Sequence, residues 1–211
     1  MTRRAEQSDA GTMRTVPEQD RSRRTVAAIL EAASDLLSEG GPDALTTSAL
    51  AERTGLRARN VYRYFSDRQA VMATLAERMN ERIESAVAEV TALADPANPL
   101  ERAVEELIDG VIAATVAEPA AAQVRAAMRT SRQLQAIDRA SDERIARQLA
   151  DLVQQRGVST RRHRLEAGMF VLATCVGAVL DRVTLDGGAS DGVAEVRETK
   201  RMAAAYLRTL I

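Results

Sequence analysis

The chain has 211 residues, 45% hydrophobic and 28% charged, enough apolar material for a buried core and too much for a wholly disordered chain. One cysteine, Cys175, excludes an internal disulfide framework, and one histidine, His163, leaves a His-based metal site or a His-centred catalytic triad without its parts. Net charge is −1, so no global excess points to nucleic acid.

Residues 1–20 are polar and non-periodic and lack the apolar core of a signal peptide, so a disordered N-terminal arm and a cytoplasmic protein are expected. Arg3, Arg4 and Arg14, with Arg21, Arg23 and Arg24 just beyond, could lie in a minor groove or be solvated. From Arg21, the residues Val26, Ile29, Leu30, Ala33, Leu36 and Leu37 recur at the spacing of one helix face. Gly40-Gly41-Pro42 stops that helix. A second helix starts near Thr46-Thr47, either of which can cap it, and ends at Gly55. A third, short helix runs to about Phe65. Ser66-Asp67-Arg68-Gln69 fits a capping box with Ser66 as N-cap and Gln69 at N3. It opens a long fourth helix with an inner stripe of Val71, Leu75, Met79, Ile83, Val87 and Val90.

Asn98-Pro99 with Glu101 opens a fifth helix that buries Leu100, Val104, Leu107, Ile108, Val111 and Ile112. Glu118-Pro119 breaks it and leads into a short Ala-rich helix to about Thr130. Leu134, Ile137, Ile145, Leu149 and Leu152 mark the next, which ends before Gly157. Ser159 or Thr160 caps a helix through about Leu185, Asp186-Gly187-Gly188 turns the chain, and Ser190 caps the last helix. No alternating strand-type run and no internal repeat occurs. The reading is all-α with about nine helices.

Aromatic residues make up 2% of the chain, and three of the five, Tyr62, Tyr64 and Phe65, fall within four positions. The same region carries a local charge excess. Residues 47–70 hold Arg53, Arg57, Arg59, Arg63 and Arg68 against Glu52 and Asp67. Two short helices joined at Gly55, with small Ala51 at their crossing and Leu50, Leu56 and Val61 as shared core, satisfy the steric needs of a helix-turn-helix. The second helix of such a unit enters the DNA major groove N-terminus first, which here presents Arg57, Ala58, Arg59 and Asn60. Arginine pairs in bidentate fashion with guanine and asparagine with adenine. Tyr62 and Tyr64 can donate to phosphate, Arg68 adds charge at a helix N-terminus, and Phe65 packs inward. A small helical subdomain with a solvated arginine face is the plainer alternative.

The stretch from Ile29-Leu30-Glu31-Ala32-Ala33 through Leu45-Thr46-Thr47, Leu50-Ala51-Glu52-Arg53-Thr54-Gly55, Val61-Tyr62-Arg63-Tyr64-Phe65 and Ser66-Asp67-Arg68 resembles the DNA-binding domain of the TetR family of bacterial repressors. The resemblance covers roughly residues 21–75. It implies a homodimer that binds a palindromic double-stranded operator and carries an inducer in a C-terminal helical domain. It also implies DNA contacts at Thr47, Asn60, Tyr62, Tyr64 and Arg68. Arg57 stands where many members have a small cap, and Arg68 where lysine is common, so the operator sequence does not transfer.

The expected division is a 1–20 arm, a 21–68 DNA-binding domain and a 69–211 ligand-binding and dimerisation domain. The penultimate helix is apolar on all sides from Ala167 to Leu180, too short to span a bilayer, and must be covered all round. With the last helix (Val193, Val196, Ala203, Leu207, Ile211) it is expected to form a four-helix dimer interface. Candidate ligand-lining residues are Met79, Ile83, Leu107, Val111, Met128, Met169 and Phe170, a wall suited to a lipophilic or amphipathic effector, with core packing as the alternative for each. His163 reads as a solvated neighbour of a helix start and Cys175 as a small buried apolar group. No metal, cofactor or catalytic constellation is legible: HExxH, a phosphate-cradling glycine loop, a Cys-His pair and a nucleophile elbow are all lacking. A helical enzyme or small-molecule binder without specific DNA binding is the rival class.

Overall fold

The structure is a computed structural model that describes residues 20–93, 99–185 and 192–210. Nine helices and no strand occur among these residues: α1 (Asp20–Ala44), α2 (Thr47–Thr54), α3 (Ala58–Tyr64), α4 (Arg68–Leu93), α5 (Leu100–Val116), α6 (Ala121–Thr130), α7 (Arg132–Gln155), α8 (Arg162–Leu185) and α9 (Val193–Arg208). The chain divides between Ala76 and Glu77 into two compact units, eight residues beyond the Arg68 boundary suggested by the capping pattern. The arm and the Asp186-Gly187-Gly188 turn with Ser190 lie outside the described residues.

Helix ends follow the local chemistry, with three departures from the sequence reading. The first helix breaks at Gly41 (φ 68°, ψ −166°) before Pro42, as the Gly-Gly-Pro run requires. Thr46, not Thr47, caps α2, its hydroxyl accepting from the Ala49 amide at 3.1 Å. The first departure is at α4, which Asp67 caps in place of Ser66. One Asp67 carboxylate oxygen accepts from the Ala70 amide at 2.8 Å, and the other accepts the Ser66 hydroxyl at 3.0 Å. A carboxylate has two acceptor oxygens and a negative charge at the positive helix end, so it displaces a hydroxyl from the cap. The second is at α8. The Thr160 hydroxyl donates to the Leu210 carbonyl, while the Arg161 carbonyl accepts from the Arg164 and Leu165 amides, so neither Ser159 nor Thr160 caps. The third is at α9, which starts after Gly192 in the left-handed region (φ 55°) without a side-chain cap.

In the N-terminal unit, Ile29 and Leu37 of α1, Leu45, Leu50 of α2, Val61 of α3 and Phe65 form the core. Arg53 binds α2 to α1 through both Glu39 oxygens at 3.0 and 2.6 Å, with Asp35 3.9 Å away. The Arg53 guanidinium holds the Glu39 carboxyl below its usual range.

In the C-terminal unit, α7 and α8 pack along one another and α9 returns across α8 and α5. Gly168 of α8 makes room for the Tyr206 hydroxyl of α9, which would stand 2.3 Å from a Cβ at that position. Glu118, at the α5–α6 corner, is buried to 1% exposure. Its Oε2 accepts from Arg78 at 2.6 and 3.1 Å and from Arg82 at 3.1 Å, both on α4. Among the described residues no single helix is long and apolar enough to cross a membrane.

Removing one partner of a buried ion pair strands the other, at a cost of about 3–5 kcal/mol. Arg78→Ala, which leaves the buried Glu118 carboxylate with Arg82 alone, is therefore expected to lower the unfolding free energy by about 3–5 kcal/mol. Arg82→Ala, at a half-exposed end of the same network, should cost less. Denaturant melts of both variants measure the difference.

Candidate functional site

The turn between α2 and α3 is set by Gly55, whose left-handed backbone (φ 67°, ψ 12°) ends α2 while its amide donates to the Glu52 carbonyl. The small helix α3 then has two unlike sides. Val61 and Tyr64, with Phe65 just beyond, are buried and seat the helix. Arg57, Ala58, Arg59, Asn60, Tyr62 and Arg63 are exposed, Tyr62 at 48%. Arg57 occupies the N-cap position in extended conformation and makes no side-chain cap, so the helix opens on backbone donors and an arginine. This is a cationic, donor-rich N-terminus on an exposed edge, the arrangement that accepts phosphate and base edges.

The other sequence-predicted positions sort around this face. Thr47 is the first residue of α2 and is half-buried. Arg68 is about half exposed, donates to the Pro42 carbonyl at 3.0 Å and stands 4.0 Å from Asp43. Tyr64 parts company with Tyr62: its ring is 6% exposed, and its hydroxyl donates to the Ser22 Oγ of α1 at 3.4 Å. The Arg63 guanidinium lies 5.8 Å from the Tyr64 ring centre. Of the arginines counted from sequence, Arg53 faces Glu39 and Arg68 faces Asp43, acids of their own unit. The exposed positive charge of α3 is carried by Arg57, Arg59 and Arg63.

The C-terminal unit encloses a cavity among α4, α5, α6, α7, α8 and α9. Its volume is about 120 Å³, below the roughly 300–1,000 Å³ of drug-sized sites, so it suits a slender occupant. Ile83, Leu107, Val111 and Met169, four of the expected residues, lie in its wall. Met79 and Met128 are buried but are not wall residues. Phe170 is half-buried outside the wall, its ring centre 5.5 Å from the Arg139 guanidinium.

Sequence reasoning missed the polar part of the wall, which includes Asn80, Arg125, Asp138, Asp142, Arg156 and Asp181. Arg125 reaches Asp138 at 2.6 Å and Asp181 at 3.2 Å. Thr174 donates to Asp142 at 2.8 Å. Burial pushes Asp181 up to about 6, helped by Asp138 and Asp142 and opposed by Arg125 and Arg129. Burial also raises Asp142, with Thr174 opposing. The signal was present in the sequence. Asp138 and Asp142 share the helix face of Ile145 and Leu149, where acids break an apolar stripe.

The outer face of α8 is the last feature. Ala167, Val171, Thr174, Cys175 and Ala178 recur along one stripe and are exposed in the protomer, Val171 at 59%, and Met202 of α9 is exposed too. Cys175 is therefore a surface group, not the buried one expected from its apolar neighbours. A helix apolar on every side has one side left over after α7 and α9 are packed.

Comparison with known proteins places both halves. Residues 29–75 match the family described as bacterial regulatory proteins, tetR family, and residues 99–207 match the tetracyclin repressor-like C-terminal domain. The class A tetracycline repressor of transposon 1721 from Escherichia coli is 45% identical over 51 residues, 24% of each chain, so the match spans about a quarter of that relative's length. A TetR-family transcriptional regulator from Streptomyces coelicolor superposes with TM-score 0.66 at 23% identity, over 88% of this chain and 99% of that one. The fatty acid degradation regulator FadR from Bacillus halodurans gives TM-score 0.69 at 16% identity, over 92% and 99%. With its exposed recognition-type helix in the first unit and a matching C-terminal domain over more than half its length, the chain belongs to the TetR family of bacterial regulatory proteins.

Proposed function

We propose that the protein is a ligand-responsive transcriptional regulator, a repressor that binds a palindromic operator as a homodimer and leaves it when a small lipophilic or amphipathic effector fills the C-terminal cavity. The observation that carries the reading is the outward face of α3. Arg57, Arg59, Asn60 and Tyr62 are exposed together at the start of a helix whose other side is buried. Arg59 and Asn60 read base edges, Arg57 contacts a base or a phosphate, and Tyr62, Thr47 and Arg68 hold phosphate. Tyr64 acts mainly by seating α3 on α1 through Ser22. Acting on an operator puts the protein in the cytoplasm.

Two copies meet through the last two helices. The stripe of Ala167, Val171, Thr174, Cys175 and Ala178 on α8, with Met202 on α9, is apolar surface that a two-fold partner would cover. Pairing sets two α3 helices for successive major grooves, about 34–36 Å apart. An effector held against α4, α6 and α8 shifts the dimer toward a spacing that no longer fits. Here α4 is the lever, since it supplies Ile83 and Val87 to the cavity wall and is pinned to the α5–α6 corner through Glu118. The rival, a small-molecule binder or enzyme without specific DNA binding, shares the cavity and predicts no sequence-selective, salt-dependent duplex binding.

Selection of bound duplexes from random DNA should return an inverted repeat, and a failure to enrich any sequence would overturn the reading. On the selected operator, Arg59→Ala should cost about 1–3 kcal/mol and relax one base position. Tyr62→Phe should cost about 0.5–1.5 kcal/mol evenly across sequences. Val171→Arg should give a monomer by sedimentation with unchanged helicity and weakened operator binding.

A further inference from the structure

The cavity wall is apolar along α5 and most of α8, yet its polar residues do not balance. Asp138 and Asp142 stand one turn apart on α7, and Asp181 faces them from α8. The guanidinium among them, Arg125 of α6, is already shared between Asp138 and Asp181. Asp142 is met by the Thr174 hydroxyl alone of the groups in hydrogen-bond contact. Arg129, on the last turn of α6, is exposed and acts on Asp181 only through its field. Arg156, the other cation of the wall, stands 14 residues beyond Asp142 at the C-terminal cap of the same helix, about 21 Å away at ~1.5 Å per residue. Three carboxylates therefore confront one guanidinium in a largely buried space, where like charges at this spacing repel.

A second observation is independent of the acids. Asn80 of α4 lines the same cavity, is only 2% exposed, and its side-chain NH2 has no hydrogen-bond partner. A buried donor left unpaired costs about 1–3 kcal/mol, so it marks a place where an acceptor is missing. The chain's own acceptors do not fill it.

We propose that the cavity takes an organic cation: a protonated amine with a slender apolar body and an oxygen acceptor, its ammonium among Asp138, Asp142 and Asp181 and its acceptor on Asn80. The inference rests on reading this cavity as the effector site and names the chemistry of the effector. A carboxylate or phosphate ligand would add negative charge to an end where Asp138, Asp142 and Asp181 already outnumber Arg125. A metal ion does not fit, because among the described residues no cluster of His, Cys, Asp or Glu is arranged to hold one. The apolar walls of Leu107, Ile108, Val111 and Leu172 would sheathe an alkyl body, and the three acids would gain a counter-charge without leaving the interior. Ionised Asp181 is the binding form, and its pKa lies at about 6 before binding. Affinity for the cation therefore rises with pH through that value, and binding at pH 6 releases protons.

The test uses three esters of one length on the full-length protein: hexyl 4-aminobutanoate (cation), hexyl hemisuccinate (anion) and hexyl pentanoate (neutral), titrated by calorimetry. The amine should bind at least about tenfold more tightly than either of the others, the margin of a charged hydrogen bond. Asp142→Asn and Asp181→Asn should remove that margin while leaving the neutral ester unchanged, and Asn80→Leu should weaken all three alike. Equal or tighter binding of the anion or the neutral ester overturns the cation and leaves the cavity as the effector site. Binding by none of the three also overturns it. The effector-site reading is judged separately, by whether a probe that binds changes the affinity for the selected operator.

Discussion

A carboxylate with almost no access to water holds the second unit in register. Glu118 sits at the corner where α5 turns into α6, and Arg78 and Arg82 on successive turns of α4 converge on one of its oxygens. A charge buried to this degree is tolerable only when paired and hydrogen-bonded, so the three side chains fix each other. The consequence is geometric. The corner cannot slide along α4 without breaking the pair, and α4 is the helix within which the two compact units of the chain are divided. Apolar packing along α4 would tolerate a shift of a fraction of a turn at little cost. The ion pairs convert a greasy contact into one with few allowed positions, which is what a mechanical coupling needs.

The cavity and the charges around it follow the same logic with the opposite balance. Glu118 has two arginines, whereas Asp138 and Asp181 share one and Asp142 has a hydroxyl. The result is visible in the upward shift of Asp181 and Asp142, both driven first by burial. One buried acid is satisfied and structural. The others are under-compensated beside an empty space and an unpaired Asn80 donor. Stability alone would have replaced these groups with apolar residues of similar size, as buried ionic groups often can be.

Much of the molecule was legible from spacing. The Gly40-Gly41-Pro42 stop, the Gly55 turn and the stripes of α1 and α4 appear where the 3.6-residue period and the glycine conformations put them. The inward position of Phe65 followed from the same period. What escaped was what depends on which side of a helix meets which neighbour. Ser66 and Asp67 are both good caps, and the carboxylate that accepts from both the Ala70 amide and the Ser66 hydroxyl gives Asp67 the role. Tyr62 and Tyr64 look equivalent two residues apart, but a turn of about 200° separates them, so one faces solvent and the other α1. Cys175 sits in an apolar run whose outer side the protomer leaves bare. The acids of α7 drew no reading from the sequence, although their register with Ile145 and Leu149 placed them inward.

That register also explains how a small occupant could act at a distance. Arg125 belongs to α6, which begins three residues after Glu118, while Asp138 and Asp181 belong to α7 and α8. A cation entering among the acids competes with Arg125 for both partners. On the proposed reading the guanidinium would rotate or its helix would shift, and a shift at the start of α6 would pull on the corner that α4 holds through Glu118. The coupling would be purely electrostatic at its origin and steric at its end. Its strength is bounded by the difference in how well the occupant binds before and after α6 moves. A neutral lipophile of the same shape could fill the space but would leave the Arg125 pairs intact, so occupancy and switching separate at this one residue.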